Sequence, residues 1–105
     1  MNDEKMNKIW VSDFRPLDKG ALRAFADVTI SIIGSEITIR GFRVVHKDLV
    51  NSDPWVGFPQ IRFEKDGKPI FRDVIETSKE VRKEIAEKIL EEYDKNRKQT
   101  EKIPF

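Results

Sequence analysis

Between Ile37 and Lys47 the chain carries Arg40, Arg43 and Lys47 with no acidic residue among them. Guanidinium groups gathered in this way suit phosphate, because each presents a rigid fork of donors that meets two oxygens at once. A second basic set, Arg62, Lys65, Lys68 and Arg72, follows within residues 61–75, interleaved with Glu64, Asp66 and Asp73. Trp55, Phe58, Phe63 and Phe71 stand beside these cations and offer faces for stacking unpaired bases. A competing reading is equally concrete. In it the arginines pair with carboxylates on neighbouring strands, Asp27 for example, while the aromatics pack in a core or against a second copy.

Other chemistry finds little support. There is no cysteine, so neither a disulfide nor a thiolate is available. The single histidine, His46, has no carboxylate at a recognised metal-ligand spacing. Ser31, Ser35, Ser52 and Ser78 could each be written into a Ser–His–acid triad, but a chain of this size contains such a set by chance. The five glycines are scattered singly rather than forming a phosphate loop. Asp66 and Asp73 read as turn chemistry and surface charge. The expectation is therefore a protein that is not an enzyme, with no catalytic residue, metal, cofactor or small-molecule substrate.

Composition narrows the remaining options. At 105 residues the chain allows one domain. Charged residues make up 37% and hydrophobic ones 38%, yet 20 Lys and Arg stand against 19 Asp and Glu. A net charge of +1 excludes a uniformly basic surface, so any polyanion must meet a local patch. No apolar run approaches the ~20 residues that span a bilayer. Met1 to Lys5 is polar and acidic, unlike a secretion signal, and the expected location is cytoplasmic.

The elements that must position the basic groups follow from periodicity. Leu22, Ala24, Ala26, Val28, Ile30 and Ile32 alternate with Arg23, Phe25, Asp27, Thr29 and Ser31, giving a strand with one apolar face. Gly34-Ser35 marks a turn, so residues 22–45 form a hairpin. Residues 8–14 supply an earlier strand, closed by Arg15-Pro16. Trp55–Phe58 is apolar, with Pro59 restricting it to an edge, a bulge or a strand end. Asp66-Gly67 predicts a further hairpin within residues 61–75. From Thr77 to about Arg97 the period changes: Thr77 and Glu80 fit a capping box, and Val81, Ile85, Ile89 and Tyr93 form a helical stripe. The expected fold is α+β, an antiparallel sheet of about five strands followed by one long C-terminal helix packed on it. Residues 1–7 are expected to be a flexible lead-in, 8–97 the single domain and 98–105 a tail.

Several segments, in this order, resemble the stage V sporulation protein G (SpoVG) family of septation regulators. They are Gly20 to Ile30, Ile39 to Val45, Trp55-Val56-Gly57-Phe58-Pro59, Asp66-Gly67 with Phe71-Arg72-Asp73-Val74, and the closing Ile89-Leu90-Glu91-Glu92-Tyr93. The resemblance covers most of the chain, from about Lys8 to Tyr93. It implies a small cytoplasmic homodimer that binds DNA and RNA and regulates cell division, sporulation and gene expression. By position, Arg43 matches the arginine of the family's Arg-Val-Ile-like strand, Pro59 its proline, and Arg72-Asp73 its Arg-Asp pair. Of the two basic residues that relatives place after that proline, this chain keeps Arg62. The expected nucleic-acid contacts are Arg40, Arg43, Arg62, Lys65, Lys68 and Arg72. The alternative is a protein–protein interaction module that uses an exposed sheet edge and the aromatic segment at Trp55–Phe58, without nucleic acid.

Overall fold

A computed structural model describes residues 7–102. Six strands precede one helix: β1 (Asn7–Lys19), β2 (Leu22–Ile32), β3 (Ser35–Val45), β4 (Trp55–Gly57), β5 (Gln60–Lys65), β6 (Lys68–Asp73) and α1 (Lys79–Lys102). The fold is α+β, as the periodicities imply. The strands divide, however, into an antiparallel four-stranded sheet, β1-β2-β3-β4, and a separate two-stranded ribbon, β5-β6. Residues 1–6 of the expected lead-in and 103–105 of the expected tail lie outside the described residues.

The alternation in β2 does what its pattern requires. Ala24, Ala26 and Val28 are wholly buried, with Phe42 and Val44 of β3, beneath Ile85, Ile89 and Tyr93 of α1. The small alanines leave room for the helix's branched side chains. Ile9, Val11 and Phe14 of β1 and Leu90 of α1 close the margins. Where core and loop meet, His46 is buried and bridges two elements: Nε2 lies 2.8 Å from the Ser52 carbonyl and Nδ1 2.9 Å from the Tyr93 hydroxyl. A carbonyl can only accept, so Nε2 carries the hydrogen, and in the neutral ring Nδ1 accepts from Tyr93.

Three boundaries differ from expectation for identifiable reasons. Strand β1 continues through Pro16, which pairs with Ala24, because β1 is an edge strand and an edge tolerates a missing donor. The helix is capped by Ser78 rather than Thr77: Ser78 Oγ accepts from Val81 N at 3.3 Å, and the helix runs on to Lys102. Both tight turns have positive φ at their two central positions, Ile33-Gly34 and Asp66-Gly67, as two-residue hairpins with this twist demand. Among the described residues no helix is long and apolar enough to cross a membrane.

The ribbon barely belongs to this core. Every residue of β5 is exposed, as are most of β6. It is tethered by Val74 N to the Pro59 carbonyl at 2.9 Å and by Asp73, which accepts from Gln60 Nε2 at 2.9 Å and Arg82 Nη1 at 3.2 Å. The molecule is accordingly flat and extended, 52 × 46 × 20 Å. Its radius of gyration is 16.0 Å, against about 13 Å for a compact domain of this length.

Candidate nucleic-acid interface

Arg40 and Arg43 are three apart, which in an unbroken strand would send them to opposite faces. A β-bulge prevents this. Ala26 pairs with Phe42 and Val28 with Ile39, so Asp27 alone faces both Arg40 and Gly41. Gly41, at φ 96°, supplies the left-handed residue that the extra position requires. The pleat is reset: Ile39 turns to the core with Val28, and both arginines lie on the face turned away from α1.

Asp27 is the buried carboxylate of this face, only 3% exposed. Arg15 holds it from β1 by two hydrogen bonds, at 3.2 and 3.3 Å, and also pairs with Asp13. These bonds, with the Gly41 N–H and the nearby Arg40 charge, outweigh burial and hold the Asp27 carboxyl below its usual range. The same hydrogen bonds push the Arg15 guanidinium up. Arg40 reaches Asp27 at 3.8 Å, with its own side chain 79% exposed. The expectation that Asp27 neutralises the basic strand therefore holds only loosely, at Arg40. Arg15, the main partner, went unnoticed in the sequence because the bulge between Val11 and Asp13 of β1 shifts the register there.

Arg43 has a different neighbour. It is paired in register with Gly57 of β4, and its guanidinium lies across that glycine. A Cβ on Gly57 would stand 2.9 Å from Nη2 and 3.2 Å from Nε. Among the described residues no carboxylate lies within 4 Å of Arg43 or Arg62.

The ribbon register sorts the remaining candidates. Arg62 is directly opposite Phe71, whereas Arg72 opposes Ile61 and Lys65 opposes Lys68. Because side chains alternate, Arg62 and Phe71 share one ribbon face while Lys65, Lys68 and Arg72 occupy the other. On that second face Arg72 sits over the Phe63 ring, 5.6 Å from its centroid. Among the described residues none of Arg62, Lys65, Lys68 and Arg72 forms an ion pair with the interleaved Glu64, Asp66 or Asp73; Asp73 is engaged by Arg82 of the helix instead.

Arg40, Gly41, Arg43, Pro59, Gln60, Arg62 and Phe71 thus line one open cleft of about 460 Å³ between β3 and the ribbon. No acid lines it. Three of the six expected contact residues converge there and three do not. Of the four aromatics, Phe71, Phe63 and Trp55 are exposed, but Phe58 is a core residue, 7% exposed and edge-on to Phe42 at 5.1 Å. Arg82 caps its other side, 4.0 Å from the ring centroid. Among the described residues no group of three His, Cys, Asp or Glu could hold a metal ion.

Fold and site together define a two-layer α+β protein with an arginine-lined cleft at the junction of its sheet and its ribbon. Compared with known proteins, the chain matches no family model, no curated protein and no solved structure.

Proposed function

We propose that this protein is a homodimeric, non-enzymatic regulator that binds DNA or RNA, a cytoplasmic protein of the septation and sporulation type that its motif order resembles. The observation that carries the reading is the meeting of Arg40, Arg43 and Arg62 in one cleft without an acid. Arg40 shares Asp27 with Arg15, but Arg43 and Arg62 have no carboxylate within 4 Å among the described residues, and like charges facing one cleft repel until an anion joins them. In this reading these three make the direct phosphate contacts. Lys65, Lys68 and Arg72 add attraction from the reverse face of the ribbon. Support for a second copy comes from the ribbon itself, since a lone two-stranded hairpin is marginal in water and this one exposes Ile61 and Phe63 on the face turned from the cleft.

The test is charge reversal. Arg43→Glu with Arg62→Glu should abolish capture of labelled oligonucleotides at low salt, while light scattering still finds the mass of two chains. Retention of full affinity by that variant rejects the proposal.

One observation favours a second reading, a protein-docking module. Trp55 is 52% exposed at the outer strand, and β4 covers β3 only from Arg43 to Val45, leaving the strand's first half open. Under that reading the same charge reversal leaves oligonucleotides irrelevant, and Trp55→Ala removes partner binding.

A further inference from the structure

The cleft differs from a flat phosphate-binding surface in one respect: an aromatic ring forms part of its wall. Phe71 is 58% exposed and sits directly across the ribbon from Arg62. More than half of this apolar ring is left in water by its own chain, which is unfavourable until something covers it. Its neighbours in the cleft are Pro59, another apolar surface, and Gln60, whose amide can both donate and accept. The opposite wall, from β3, is cationic, with Arg43 braced over Gly57. A recess of about 460 Å³ falls within the ~300–1,000 Å³ range of sites that take one small-molecule-sized group.

We propose that this cleft takes an unpaired nucleotide of a single strand, its base stacked on Phe71 and its flanking phosphates on Arg43 and Arg62. The inference rests on the nucleic-acid reading and narrows it to single-stranded DNA or RNA. A duplex keeps its base faces stacked inside and presents phosphates along its backbone, so it has no base face to offer the ring. A splayed single strand offers a π-face and two phosphates within one nucleotide's reach. Every base has such a face, so the site reads strandedness rather than sequence. Gly57 acts as a positioning residue: it leaves the space across which Arg43 reaches the cleft.

Fluorescence anisotropy on the full chain separates the outcomes, using a labelled mixed-sequence oligonucleotide, single-stranded or annealed to its complement, at one low salt concentration. The expected result is at least tenfold tighter binding of the single strand. Phe71→Ala should remove roughly tenfold or more of that affinity and leave duplex binding unchanged, and Phe71→Tyr should restore it. Gly57→Ala should weaken single-strand binding severalfold with no charge removed and unchanged circular dichroism. Because Phe71 is exposed, its substitution leaves the fold intact. Equal or tighter duplex binding, or an unaffected Phe71→Ala, overturns the single-strand proposal while leaving nucleic-acid binding standing. Failure of both oligonucleotides to bind overturns both.

Discussion

The sheet-and-helix body and the β5–β6 ribbon are built from similar residues to opposite ends. In the body, Val28, Phe42, Val44, Ile85 and Ile89 are wholly buried, and even the polar Asp27, Thr29 and His46 are enclosed. Each enclosed polar group is matched: Asp27 by Arg15, Thr29 by the Thr38 hydroxyl at 2.9 Å, His46 by Tyr93. In the ribbon, Ile61, Phe63 and Phe71 remain in water. The body is organised by burial, the ribbon by its Asp66-Gly67 turn and a few tethers. That difference teaches where function resides: residues that stabilise nothing within their own chain are available to something outside it.

The contrast can be attacked from the body outward. Ile85→Ala should have the largest effect, about 2–5 kcal/mol of lost stability, because the side chain is fully enclosed and the cavity cannot collapse onto a strand-backed helix. Urea denaturation measures it. A loss below about 1 kcal/mol would mean that the helix is not the body's principal cover.

An intermediate effect is expected from Asp27. Its carboxyl is held below the usual range, so it stabilises the fold at pH above the ordinary carboxylate value near 4, and that contribution fades as pH falls through the lowered one. Asp27→Asn should lower the melting temperature by a few degrees at neutral pH, with the difference from wild type shrinking as the pH falls through Asp27's lowered value. Asp48 is lowered too, by the Val50 and Asn51 N–H groups, so some acid sensitivity persists in the variant. Parallel melting curves at all pH values would show that the Arg15 clamp is ornamental.

Smallest of all should be Ile61→Ala in the ribbon, within about 0.5 kcal/mol for the dilute single chain. A larger loss that grows with protein concentration would instead locate the contact with a second copy on this face.

Much of this contrast was legible in the residues. The period of two in β2, the stripe from Val81 to Tyr93 and the Asp66-Gly67 turn are local signals, and each formed the element it implied. What was not legible is non-local. Nothing in residues 60–73 says that the hairpin they form will leave the sheet rather than extend it. Nor does spacing alone reveal that Arg40 and Arg43 share a face; Gly41 in mid-strand was the one clue, since an interior glycine often marks a bulge. The apolar run at Trp55–Phe58 hid a division between an exposed Trp55 and a core Phe58, which only packing against Phe42 decides.

The central claim is that the cleft face of the ribbon, not its reverse, meets phosphate. The salt dependence of single-strand affinity tests this, measured for wild type, for Arg43→Gln with Arg62→Gln, and for Lys65→Gln with Lys68→Gln. Removal of the cleft pair should flatten the slope of log affinity against log salt by about 1.4, two contacts at ~0.7 each, while removal of the reverse pair, which attracts without direct contact, flattens it by clearly less. Equal flattening by both pairs, or flattening by the lysines alone, would contradict the account.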